Sequence, residues 1–320
     1  HAIIATAYKQ SGLRVAVLID EYDSPLQHSW RTPEHEKCTG VYREVFAILK
    51  ADDEYEQFVF ITGITKFTQI SLSSVLNNLT NISFRPEYAA ICGITEEEIK
   101  ENFMPELKQM SEVNNWSVQE THDRLKAYYD GYHFSRRNMV DVYNPYSLVN
   151  ALKSKEIINF WASSGATSLL PKFVDNVELR LSNFENIRIM RNTLELSDVT
   201  GGGAELFLYQ SGYLTIKACD EFGYILGFPN EEVMQALYEM VLPALTLREK
   251  SDIQSIQANL YAQLGTGEID EAMKSLRALI ADVPYSNKKL ASMDMEERYR
   301  LIISTILNAI GLNVEVEHMM

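Results

Sequence analysis

The sequence predicts an α/β fold: a P-loop NTPase-like parallel sheet with helices, present in part, followed by a mostly helical, winged-helix-like region. Three observations predict it. Val15–Ile19 and residues 58–62 are short, continuous apolar runs, the pattern of strands buried on both faces of a parallel sheet. A single helical pattern lies between them, and strand, helix, strand at this spacing is a right-handed crossover unit. From Thr95 onward the apolar period becomes helical, with one return to strands near residues 205–229.

Taken in order, residues 2–9 carry a weak helical period that Ser11-Gly12 breaks, and Val15–Ile19 is the first strand. The helix over 36–49 places Val41, Val45, Ile48 and Leu49 on one apolar face. "FVFIT" at 58–62 is the second strand. Thr95-Glu-Glu-Glu98 opens a helix with a capping-box pattern, and several helices follow to about Leu170, broken at Gly131, Asn144-Pro145 and Gly165. Around 205–229 a helix passes into two short strands, "YLTIKA" and "GYILGFP", and 230–245 is helical again, an order resembling a winged helix. Residues 253–280 and Met295–Ala309 read as amphipathic helices split by Val283-Pro284-Tyr285, and Gly201-Gly-Gly203 reads as a flexible turn. The organisation expected is 1–112 for the ATPase-like core, 113–250 for the helical and winged-helix-like region, and 251–320 for a helical linker with the start of a further domain.

Composition narrows the function. The 320 residues are 46% hydrophobic and 23% charged, ordinary values for a folded protein. A net charge of −15 argues against a broad nucleic-acid footprint, which rests on clustered Lys and Arg. Cys38, Cys92 and Cys219 are odd in number and widely spaced, which suggests neither a disulfide framework nor a thiolate zinc site. With no apolar run of membrane-spanning length, the expected location is cytoplasmic, with no membrane partner. Residue 1 is His, which suggests a trimmed start or a piece of a longer product.

Asp20 and Glu21 are the chemistry-bearing pair. An apolar strand ending in Asp-Glu is the arrangement of phosphoryl-transfer ATPases, where the Asp orients Mg²⁺ and the Glu polarises the attacking water. The competing explanation is that many strands end in solvated acids. The second strand brings Thr62, Gly63, Thr65 and Lys66 to the same sheet edge, where a polar side chain can sense a γ-phosphate; Lys66 equally suits a salt bridge to Asp20 or Asp23. The motif G-x-x-x-x-G-K-[ST], whose amides cradle phosphates, is absent, since no Gly-Lys dipeptide occurs in the chain. Val15 lies too near the beginning to leave room for that loop, so the expectation is an upstream segment and no turnover without it.

The series "VLIDEYDSPL", "FVFITGITKFTQISLSSVLNNLTNIS", "YAAICGITEEEI", "YYDGYHF", "VYNPYSLVNAL", "FWASSGATSLL", "QSGYLTIK" and "GFPNEEV" resembles the AAA-ATPase-like family of bacterial proteins, in order and over nearly the whole chain. The resemblance implies metal coordination by Asp20, water activation by Glu21, a sensor role for the segment holding Thr62, Thr65 and Lys66, and ATP with Mg²⁺ as ligands of the full-length protein. It also implies an upstream Gly-Lys-Ser loop and a following PD-(D/E)xK nuclease-like domain. Ser73 departs from the family, which tends to carry a bulky aromatic there. Residues 283–317 resemble the opening of that nuclease-like domain, with Glu296 or Glu297 as its helical acid; its strand Asp and Glu-x-Lys are lacking, so this chain is not expected to cut nucleic acid. Glu98-Ile-Lys100 matches the three letters on a helix, by chance.

Smaller candidates favour packing. Tyr128, Tyr129, Tyr132 and Phe134 with His133 could stack on a base but fit a helix-end cluster better, and His122 and His133 lack closely spaced ligand partners. Asn144 and Asn230 fit as helix caps. Two further functions stand against the ATPase: a nucleotide-independent protein-interaction or regulatory module with vestigial Asp20 and Glu21, and a DNA-binding winged-helix-like protein. The partner, protein or nucleic acid, is left open.

Overall fold

The computed structural model describes residues 1–30, 32–64, 79–163, 184, 186–196, 203–281 and 294–312. The chain divides into two compact units: His1–Ala89 with Phe134–Met139 and Arg188–Leu226, and Ala90–His133 with Val140–Ile187 and Gly227–Met320.

In the first unit, α1 (Ala2–Ser11) ends at Gly12, whose φ of 73° is left-handed. β1 (Val15–Ile19) pairs in parallel with β2 (Glu56–Ile61), in register from Ala16 opposite Phe58 to Ile19 opposite Ile61. The connection carries α2 (Ser24–Ser29) and α3 (His35–Ala51). Phe46 and Leu49 of α3 form the local core with Val17, Ile19, Val59 and Ile61. This arrangement corrects two expectations. Among the described residues the strands are covered on one face and not both: successive side chains alternate, so Leu18 and Phe58 leave the face that α3 covers and stay 71% and 54% exposed. On α3 the inward ridge is Tyr42, Phe46 and Leu49, while Val41 and Val45 are exposed. The two ridges lie one residue apart, about 100° around the helix, and the aromatic one buries more apolar area.

The same unit holds a three-stranded sheet of order β5-β7-β6, from β5 (Ile187–Met190), β6 (Thr215–Cys219) and β7 (Gly223–Gly227). α8 (Arg191–Leu196) follows β5 directly, and α9 (Gly203–Gln210) precedes β6. Phe84 stacks on Tyr209, with ring centroids 6.1 Å apart.

In the second unit, β3 (Ile94–Thr95) pairs antiparallel with β4 (Val142–Tyr143), beside α4 (Glu96–Asn102), α5 (Met104–Asn114), α6 (Val118–Tyr129) and α7 (Pro145–Ser154). Their buried faces meet in one core that includes Ile99, Leu107, Met110, Leu125, Tyr129 and Leu148. The capping reads are realised: Thr95 and Glu98 form a capping box, Asn144 accepts from the Ser147 N–H, and Asn230 accepts from the Val233 N–H to open α10 (Glu231–Thr246). Beyond it lie α11 (Lys250–Gly265), α12 (Ile269–Ala281) and α13 (Met295–Ala309), with α13 packed on α10. The helix expected over 253–280 is thus two helices, interrupted where Gly267 takes a φ of 77° that ends the first. Gly165, Gly201, Gly202 and Val283-Pro284-Tyr285 lie outside the described residues. Glu232, fully buried, accepts hydrogen bonds from the Phe160 and Trp161 N–H groups, which joins α10 to the chain after α7. Among the described residues, no helix is long and apolar enough to cross a membrane.

Candidate functional site

The parallel register of β1 and β2 brings both carboxyl ends to one rim of the sheet. Asp20 follows β1 and Thr62 follows β2, and the Thr62 hydroxyl donates to Asp20 Oδ1 at 2.5 Å. The same oxygen accepts the Glu21 N–H at 2.9 Å, while Oδ2 makes no hydrogen bond among the described residues. Asp20 and Glu21 are both exposed. Glu21 takes a φ of 50°, a left-handed backbone that costs a non-glycine residue about 1–3 kcal/mol and collects at functional turns. That conformation breaks the extended backbone of β1 at the residue next to Asp20.

Backbone bonds extend the ladder past the strands. The Thr62 N–H donates to the Ile19 carbonyl at 2.9 Å, and the Tyr22 N–H to the Thr62 carbonyl at 3.0 Å. Behind the rim lies Asp23, fully buried. Its Oδ2 accepts from Gln27 Nε2 at 2.5 Å and its Oδ1 from the Ile64 N–H at 3.2 Å. Tyr42 of α3 donates its hydroxyl to the Tyr22 carbonyl. Gly63 is required by this crowding: a Cβ there would lie 2.4 Å from Asp23 Oδ1 and 2.4 Å from the Tyr22 ring.

The structure therefore brings together Asp20, Glu21 and Thr62, three of the residues named from sequence. Thr65 and Lys66 lie outside the described residues, as does any pairing of Lys66 with Asp20 or Asp23, and so does Ser73. Asp23 was named from sequence only as a salt-bridge partner for Lys66, Gln27 was not named, and Gly63 was placed at the sheet edge without a role of its own. The signal for the first two was present in "DSPLQ", where an acid and an amide four apart face one side of a helical turn.

The residues fit Mg²⁺ of one kind. Among the described residues no group of three or more His, Cys, Asp or Glu side chains could form a protein cage for a metal. Mg²⁺ bound through a single carboxylate, waters and phosphates needs no such cage, and Asp20 has an open oxygen at an exposed rim.

The other candidates are accounted for by packing and pairing. His122 faces Glu96 at 2.8 Å and His133 faces Asp141 at 2.6 Å. Burial pushes the Glu96 carboxyl up, but Lys100 and His122 outweigh it and hold the group below its ordinary value. Tyr129 is fully buried and donates to the Ile158 carbonyl, and Tyr128 donates to Gln235. Glu98 serves its capping box, Glu297 does the same with Asp294, and Glu296 pairs with Arg300 at 2.5 Å. A cavity of about 820 Å³ in the second unit is lined by Trp116, Glu120, Arg124, Tyr128 and Glu231, with the Arg124 guanidinium 4.4 Å from the Trp116 ring centre.

Comparison with known proteins places this rim in a family context. Residues 1–73 match the AAA-ATPase-like family, described as predicted AAA-ATPase. The chain is 29% identical over 324 aligned positions to an uncharacterised protein encoded in the 5′ region of vnfD in Azotobacter chroococcum mcd 1. That alignment takes in 98% of this chain and 60% of the relative, so the chain spans about 60% of the length of the curated protein it matches. No solved structure matches.

Proposed function

We propose, from the match of residues 1–73 to a predicted AAA-ATPase family, that the rim formed by Asp20, Glu21 and Thr62 is the metal-facing edge of an ATP-hydrolysing site of P-loop type. The observation that carries the reading is the Asp20–Thr62 hydrogen bond at the carboxyl ends of two parallel strands, with Glu21 next in the chain. Ligands of open parallel sheets sit beyond those ends. Asp20 would hold Mg²⁺ through its open oxygen, and the metal would neutralise charge on the phosphates. Glu21, exposed and set off from Asp20 by its left-handed backbone, would orient the attacking water and take its proton. Thr62 holds Asp20 in place, and Thr65 and Lys66 complete the proposed phosphate-sensing segment. The phosphate-cradling amides are assigned to residues outside these 320, because the chain has no Gly-Lys dipeptide, and the chain alone is proposed not to turn ATP over.

In the full-length protein, Glu21→Gln is expected to lower the ATP turnover rate by about 10²–10⁴-fold, the usual contribution of a positioned base. Mg-ATP affinity, measured by calorimetry, should stay within about threefold. Calorimetry showing no Mg-ATP binding to the full-length parent would remove the reading and leave an interaction module.

A further inference from the structure

We propose that Asp23 is the positioning residue of this rim, tying the turn after β1 to the turn after β2 and thereby holding Asp20 against Thr62; this rests on the ATPase reading of the rim. Within one acidic segment, Asp20 and Glu21 are exposed and Asp23 is wholly buried. Burying a carboxylate is costly unless its oxygens are hydrogen-bonded, so its partners indicate what its place in the fold secures. One oxygen takes the Gln27 amide, on α2, and the other takes the Ile64 N–H, two residues past Thr62.

Thr62 is therefore gripped from both sides. Ahead of its side chain the ladder bond to Ile19 fixes its backbone; behind it the Asp23 bond fixes the backbone of Ile64. Gly63 between them allows the approach, since any side chain would strike Asp23 and Tyr22. The hydroxyl so fixed donates to Asp20 Oδ1, leaving Oδ2 without a hydrogen bond among the described residues. Asp23 does not touch the proposed metal; its influence passes through the backbone of 62–64.

The test uses the full-length protein, with Mn²⁺ as the probe titrated in the presence of ATP and read by electron paramagnetic resonance, beside thermal melts. Asp23→Ala is expected to weaken Mn²⁺ binding about tenfold, the low end of what partners behind a metal ligand contribute. Asp23→Asn keeps an acceptor for the Ile64 N–H and should restore binding to within about threefold of the parent. If Asp23→Ala does not fold, Gln27→Ala, which removes the amide's hydrogen bond to Asp23 Oδ2, is expected to weaken Mn²⁺ about threefold by the same route. Melting temperatures that fall with Mn²⁺ affinity unchanged would overturn the positioning role and leave Asp23 a packing residue. Asp20→Ala separates the two ideas: lost Mn²⁺ binding there with none lost in the Asp23 and Gln27 variants overturns this inference alone, and unchanged binding in Asp20→Ala overturns the ATPase reading with it.

Discussion

Asp130 caps the end of α6 with almost no exposure, its Oδ2 3.8 Å from Lys126 Nζ and its Oδ1 without a partner among the described residues. Burial pushes its carboxyl up to about 6; Asp141 and Glu96 add to the rise, while the Gly131 N–H and Lys126 oppose it. The folded chain therefore holds this proton from pH 3.8 to about 6, where the unfolded chain has released it. Stability falls as pH rises through that window and is level above it. Asp130→Asn is expected to remove the fall: urea titrations should show no difference from the parent near pH 4 and a gain of about 1 kcal/mol at pH 7. At this scale the caps Thr95, Asn144 and Asn230 were legible, because each closes on a backbone N–H three residues away. The burial of Asp23 was not: the i,i+4 spacing to Gln27 marks a local pairing, but the bond to Ile64 spans 41 residues and no local pattern shows that the carboxylate leaves water.

At the scale of elements, the existence of β1, α3 and β2 was plain from apolar period, and the choice of face was not. α3 carries two adjacent apolar ridges, and only contact with the sheet selects the one holding Phe46 and Leu49. Phe46→Ala is expected to cost about 3–5 kcal/mol by leaving a cavity against β1 and β2. Val45→Ala, at an exposed neighbour, should stay within about 0.5 kcal/mol in the same denaturant titration. Equal losses would mean that the other ridge faces inward. The strands behave alike: a continuous apolar run reads as two buried faces, yet Leu18 and Phe58 are exposed on the side α3 does not cover. The break between α11 and α12 was readable in "GTG", but an apolar period continuing on both sides masked it.

Across the whole molecule, 29 basic against 44 acidic residues give a net charge of −15, and that field opposes a polyanion whatever the local order of α9, β6, β7 and α10. Gel retardation of duplex DNA by this chain at about 0.15 M salt is expected to show no shift; a shift that weakens steeply with added salt would favour the DNA-binding reading. The two units are assembled from interleaved stretches of chain, an arrangement with no linker to mark it in the sequence. By itself the sequence determined the strand–helix–strand beginning, the helix caps and the acidic pair at the end of β1, all set by hydrogen bonds and periods spanning a few residues. Tertiary structure alone decided which face of α3 turns inward, that the Thr62 hydroxyl meets Asp20 across 42 residues, and that Asp23 leaves water while its neighbours stay in it. The reason is physical: burial and long-range pairing depend on which segments come together in space, and local pattern carries no record of that.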